Sequence, residues 1–326
     1  MSVWAETPLL AVPLAMLVDA AIGDPRWFYR YVPHPVAVAG KVISGLDRLL
    51  NRPSIPAIAR RLWGILAVCA MGALAWLLGA LIVAWAAPLP YGWALIALLM
   101  SLFIAQNSLY RHVADVAGAL RDGGLDRGRS AVARIVGRDP ENLDEAGVSR
   151  AAIESTAENF SDGVVAPVMF AVFFGLPGMM LYKAVNTADS MIGHLNGEYR
   201  DFGWASARLD DVLNYVPARF AGLLIAAAAG LGTGAPKPAL VTMFRDGRKH
   251  RSVNAGYPEA AMAGALQVAL GGPRTYGGDS LDEPWLDGGP ADCGERTIRR
   301  GLRIYAVACA LLAGAVGVAA VLELGS

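Results

Sequence analysis

Residues 153–162, Ile-Glu-Ser-Thr-Ala-Glu-Asn-Phe-Ser-Asp, set Glu154, Glu158 and Asp162 at i, i+4 and i+8, so a helix would stack three carboxylates on one face. Like charges so placed repel one another. A divalent cation such as Mg²⁺, which takes one or two carboxylates together with phosphate oxygens, relieves the repulsion. The plainer alternative is a solvated helical face. Position favours chemistry, because the triplet ends where an apolar segment, 163–182, begins.

A second group follows that segment. Lys183, Asn186 and Asp189 lead on to Glu198, Arg200, Asp201, Arg208, Asp210, Asp211 and Asn214. Ionisable residues next to membrane are costly and are usually functional, although surface ion pairs on an ordinary loop would look the same. A third group is Arg245-Asp-Gly-Arg248-Lys249-His-Arg251, where five of seven residues are basic or His. It suits phosphate groups, and equally anionic lipid heads. Near the N-terminus, Gly23-Asp-Pro-Arg-Trp27 and Pro33-His34-Pro35-Val36 form a rigid, turn-rich loop in which His34 is more simply structural than catalytic.

The elements that position these groups are membrane helices. Among 326 residues, 17% are charged and 55% hydrophobic, with mean hydropathy +0.42. A soluble domain carries about a quarter charged residues, and disordered chains combine low hydrophobicity with high net charge. The balance of 28 Lys+Arg against 28 Asp+Glu argues against nucleic acid, which needs a basic excess. From Leu62 to Tyr110, 49 residues contain no charge or histidine, enough for two spans separated by the Pro88-Leu-Pro90-Tyr-Gly92 turn. Further spans are expected at 7–22, 163–182, 212–232 and 304–322. The 163–182 stretch, interrupted by Gly175-Leu-Pro-Gly178, reads as broken or re-entrant, and 260–272 is too short to cross.

This gives an all-α, polytopic membrane protein of five to six transmembrane helices, organised as a single membrane-embedded domain over 1–326. It carries an extramembrane helical segment at 111–162, where a helix should end at Gly123-Gly124 and another element should start at Asp139-Pro140. Polar loops are expected at 183–211 and 237–258, and an acidic loop at 275–295. Basic residues cluster in 23–61, 111–162 and 237–300, which places those stretches in the cytoplasm. A plain span count then puts 183–211 outside; a re-entrant 163–182 brings it back. The N-terminus lacks a basic n-region and a small-residue cleavage site, so the first segment is expected to be retained. Three sparse cysteines predict neither a disulfide framework nor a cysteine metal site. P-loop, zinc-protease and serine-hydrolase motifs do not occur.

Several blocks together resemble one family: GDPRW at 23–27, PHPV at 33–36, ESTAENFSDGVVAP at 154–167, YKAVNTADSMIGH at 182–194, EYRDFGWASARLDDVLNYVPAR at 198–219 and NAGYPEAAMAGAL at 254–266. In this order they are similar to the CbiB/CobD family of cobalamin biosynthesis, the membrane-bound adenosylcobinamide-phosphate synthases. The resemblance implies a ligase of the bacterial cytoplasmic (inner) membrane that joins aminopropanol, or its phosphate, to a propionate of adenosylcobyric acid, consuming ATP with Mg²⁺. It further implies Glu154, Glu158, Asp162 and Asp189 on Mg²⁺ and nucleotide phosphate. Lys183, Arg200 and Arg208 would neutralise anionic groups, and Asp210 or Asp211 would be the base. Arg245, Arg248, Lys249 and Asn254 would meet the amine's phosphate or the corrin propionates, and His34 would contact substrate. The lipid bilayer is an expected partner, as is a homo-oligomer or an assembly with other cobalamin enzymes, and the site should face the cytoplasm, where ATP is. A corrinoid transporter and an Asp-rich prenyltransferase are the competing classes; the second lacks paired D-x-x-x-D clusters.

Overall fold

The computed structural model describes residues 9–25, 29–31, 33–136, 140–194, 197–276, 279–281 and 283–325. In chain order the helices are α1 Ala11–Ile22, α2 Pro35–Leu50, α3 Ala57–Ala86, α4 Gly92–Ser101, α5 Gln106–Val132, α6 Glu145–Phe160, α7 Ala166–Ile192, α8 Trp204–Leu213, α9 Tyr215–Ala228, α10 Pro236–Asp246, α11 Gly256–Leu266 and α12 Glu295–Leu324. Single π-helical turns at Ser161–Val165 and Ala229–Thr233 follow α6 and α9. Five helical stretches are long and apolar enough to cross a membrane: Ala57–Ala86, Gly92–Val132, Glu145–Ile192, Tyr215–Gly232 and Glu295–Leu324. The protein is therefore all-α and multi-pass, as its apolar runs predict.

Local differences have local causes. The break expected within 163–182 is at Gly175, whose φ of 63° takes it out of helical geometry ahead of Pro177, while the helix resumes on the far side. Gly124, with φ 70°, breaks α5 in the same way where a helix end was expected. The next helix starts later than Pro140, at Glu145, because Asp144 caps it by accepting the Gly147 N–H at 2.6 Å; Asp139 lies outside the described residues. Residues 183–192, expected in a loop, continue α7, and most of 237–258 is α10 and α11. Several of their ionisable side chains are partnered within the fold, Lys183 with Asn186 and Asp246 with Arg245 and Lys249. The acidic stretch after 268 contains two short antiparallel pairs, β1 Ala269–Gly271 with β4 Trp285–Asp287 and β2 Arg274–Tyr276 with β3 Asp279–Leu281. Of the first expected span, 7–8 lie outside the described residues, as do Arg26 and Trp27.

The chain divides into two compact units. The first comprises Met1–Ala105, Ala166–Asn214 and Ala315–Ser326. Its core is α3 against α7. A Cβ on Gly79 would stand 2.6 Å from the Pro177 Cα, and one on Gly64 would stand 1.9 Å from the Phe202 carbonyl oxygen, so glycines set these close approaches. Ile43 of α2 joins Ala67, Ala188, Ile192 and Phe202 in one buried cluster, and Val68, Val185 and Ala205 tie in α8.

The second unit comprises Gln106–Val165 and Tyr215–Gly314. It packs α5 on α6, and α11 between α9 and α10. Residues 258–266 of α11 are all buried, which is why a run apolar on every side stays short without crossing a membrane. The exception in composition is Glu259, which faces His250 across 3.8 Å.

Candidate functional site

In the first unit, α7 and α8 bring the second polar group together. Asp210 is buried on α8 and receives two amide donors, Asn214 Nδ2 on Oδ2 at 2.9 Å and Asn186 Nδ2 on Oδ1 at 3.3 Å. Each donor is fixed in turn. The hydroxyl of fully buried Tyr182 donates to Asn214 Oδ1 at 2.9 Å, and Lys183 Nζ donates to Asn186 Oδ1 at 3.3 Å. Residues 182, 183 and 186 share one side of α7, and Asn214 follows Asp210 by one turn, so helical spacing aligns each set and the packing of α8 on α7 joins the two.

Burial pushes the Asp210 carboxyl above the usual carboxylate range, and the Asp211 charge pushes the same way. The two amides and the Lys183 ammonium pull it down without cancelling the rise. Asp211 itself is partly exposed and accepts from Arg208 Nη1 at 3.1 Å. Arg200 is exposed in the turn before α8, and Asp189 lies on the last turn of α7. His34 caps α2: its Nδ1 accepts the Val36 N–H at 3.2 Å, and its Nε2 stands 3.6 Å from Asp24. Tyr29 donates to the same Asp24, and burial followed by that charge raises its phenol to about 12. Both His34 nitrogens are thus engaged in shaping the loop.

In the second unit, Glu154 is buried on α6 and accepts the Gly271 N–H on Oε1 at 2.7 Å, which anchors β1. Glu158 is exposed, and Asp162 is half-buried in the π turn. The fourth residue expected on the metal, Asp189, belongs to the first unit. Among the described residues no group of three or more His, Cys, Asp and Glu side chains is arranged to hold a metal ion.

The basic cluster is organised by an acid that its composition hides. Asp246, fully buried at the end of α10, accepts from Arg245 at 2.6 Å, from Lys249 at 2.7 Å and from the Asp287 N–H at 3.0 Å. Burial alone would raise its carboxyl, but these donors outweigh burial and hold it near 2. Arg245 also donates to the Asp287 carbonyl, so its guanidinium is spent inside the fold, whereas Arg248 is exposed. Asn254 is pinned by Arg219, whose Nη1 donates to Asn254 Oδ1 at 2.7 Å while its guanidinium lies 3.7 Å and 4.0 Å from the centres of the Tyr215 and Tyr257 rings.

Sequence reasoning found Asp210 and missed the roles of Tyr182, Asn186, Asp246 and Arg219. The i+4 spacing of Asp210 and Asn214 was a usable signal. For Asp246, a lone acid among five bases was the sign of a buried organiser.

The chain matches the family model described as CobD/Cbib protein over residues 12–305. It is 50% identical over 314 residues to a protein of a Sinorhizobium species named cobalamin biosynthesis protein CobD, covering 95% of this chain and 97% of that one. It is 46% identical to the protein of the same name in Brucella suis biovar 1 (95% and 96% covered), and 45% identical to one in Rhodobacter capsulatus (95% and 96% covered). No solved structure matches it. A family model spanning most of the chain, together with near-full-length relatives at this identity, leaves one conclusion: the chain belongs to the CobD/CbiB family.

Proposed function

We propose that the protein is an ATP-dependent amide ligase of cobalamin biosynthesis. It would join aminopropanol, or its phosphate, to a propionate of adenosylcobyric acid and yield adenosylcobinamide or its phosphate. The observation that carries this reading is the buried Asp210 between Asn186 and Asn214, a carboxyl that burial raises above the usual carboxylate range.

A free carboxylate is a poor acyl donor. In the proposed reaction a propionate oxygen attacks the γ-phosphorus of ATP, and ADP leaves with the bridging electron pair. The amine nitrogen then attacks the acyl carbon, the carbon–oxygen bond to phosphate breaks, and the nitrogen loses a proton. Asp210 takes that proton, while Asn186 and Asn214 hold its oxygens in place and Lys183 fixes Asn186. Arg208, held by Asp211, and exposed Arg200 neutralise anionic substrate groups of the same unit.

Mg²⁺ supplies charge neutralisation on the transferring phosphate oxygens. When bound it would keep several waters and take one or two carboxylates beside the nucleotide's phosphate oxygens. Within the second unit exposed Glu158 and half-buried Asp162 would hold it; Glu154 accepts from Gly271. Lys249 and Arg248 would take phosphate there. ATP places the chemistry on the cytoplasmic side of the bacterial inner membrane, so a cysteine at Ser190 should label only after the membrane is permeabilised.

The test is to incubate purified protein with adenosylcobyric acid, aminopropanol phosphate or aminopropanol, ATP and Mg²⁺, and to follow the amide by mass. Product that requires both ATP and the amine supports the reading. Corrinoid binding without any amide would overturn it in favour of transport.

A further inference from the structure

The first unit contains a groove between α2, α3 and α7 that shares Lys183 with the proposed chemistry. It encloses about 410 Å³, on the scale of one acyl chain, and its walls include Val38 and Val42 from α2, Leu74 and Leu78 from α3 and Met180 from α7. Among the residues lining it, Lys183 of α7 carries the one charge.

The groove opens sideways. Leu74 and Leu78 belong to a leucine face that continues to Leu77 and Leu81; Leu74 is 54% and Leu81 57% exposed, on a helix apolar enough to cross a bilayer. Acyl chains cover such a face, so the groove is continuous with the hydrocarbon around α3. Its other wall has the pattern of an interfacial helix. On α2, Val38, Val42 and Leu49 recur on one exposed face, and exposed Lys41 and Arg48 flank them. Neither base forms an ion pair with a described residue, which leaves both for headgroups. Basic positions between membrane helices, next to an apolar crevice, match the charge of an anionic lipid head.

We propose that this groove is a phospholipid site that takes one acyl chain of an anionic phospholipid along the α2–α3 walls, with the lipid phosphate met by Lys183.

The experiment reconstitutes the full-length protein in bilayers of equal parts phosphatidylglycerol and phosphatidylcholine, exchanges it into detergent, and identifies the retained lipids by mass spectrometry. The wild type should retain phosphatidylglycerol several-fold over its share of the bilayer. Lys183→Gln should bring the retained ratio down to that of the bilayer, and Ala39→Phe, which narrows the groove, should lower the total retained. Lys183→Gln is a mild change and keeps the test decisive if the bulkier variant fails to fold. Wild-type enrichment in Lys183→Gln overturns the proposal, as does a wild type that shows no preference. The readout involves no ATP and no amide, so its failure is separate from failure of the ligase reading.

Discussion

Glu154 Oε1 accepts the backbone N–H of Gly271 at 2.7 Å, an interaction that joins the middle of α6 to the first residues after α11. The carboxylate that sequence spacing offers to Mg²⁺ is thereby the anchor of β1. Glu154→Ala leaves a buried N–H without its acceptor and should cost about 1–3 kcal/mol. Glu154→Gln retains an acceptor oxygen and should restore most of the lost melting temperature and activity. Melting in detergent and amide formation, measured for both variants, check this; equal loss in both would return Glu154 to the metal.

Asp210 predicts an opposite pair of pH effects. Its pKa is raised above 3.8, so the native state holds that proton more tightly than the unfolded chain. The stability it contributes is complete below the unfolded value and is lost as pH rises through the folded one. Melting temperatures compared between about pH 4 and about pH 7 should therefore fall less in Asp210→Asn than in the wild type. As a base, Asp210 must be ionised, so the acidic limb of the rate profile should lie above the ordinary carboxylate range, and Asp210→Asn should abolish turnover while leaving protein in the membrane.

Asp246 behaves the other way. Its carboxyl, held near 2, contributes stability that is present above the unfolded value and is lost as pH falls through about 2. Asp246→Asn removes a charge that two cations share and should lower stability at neutral pH by about 1–3 kcal/mol, the range for charge-assisted hydrogen bonds. The variant should also lose the acid sensitivity of the contact between β4 and the end of α10, read by hydrogen exchange of the Asp287 amide.

The glycines of α3 set a packing test. Gly79→Ala would put a methyl 2.6 Å from the Pro177 Cα, a backbone atom that cannot rotate away. Separation of α3 from α7 should cost about 1–3 kcal/mol. Gly45→Ala on α2, where a Cβ meets nothing within 4 Å, is the matched control and should melt no lower than the wild type.

What the sequence by itself determined is the class of structure and the family. Apolar runs longer than a bilayer is thick have no stable solution except helices, so five spans, the turn at 88–91 and the break at Gly175 were legible from composition, proline and glycine, whereas the span expected at 7–22 holds only the 12-residue α1, shorter than those five. The i, i+4 spacing of Asp210 and Asn214 was legible for the same reason. Tertiary structure decided which charges are held inside the fold and which stay exposed. Glu154 and Glu158 are alike in type and one turn apart, yet one meets a backbone N–H from residue 271 and the other is exposed. Five basic or His residues among seven read as a phosphate patch until Asp246 is found fully buried beneath two of them. Partners that lie 41 and 117 residues away leave no periodicity in the chain, and burial, which decides whether a carboxyl is raised or lowered, exists only once distant segments have packed.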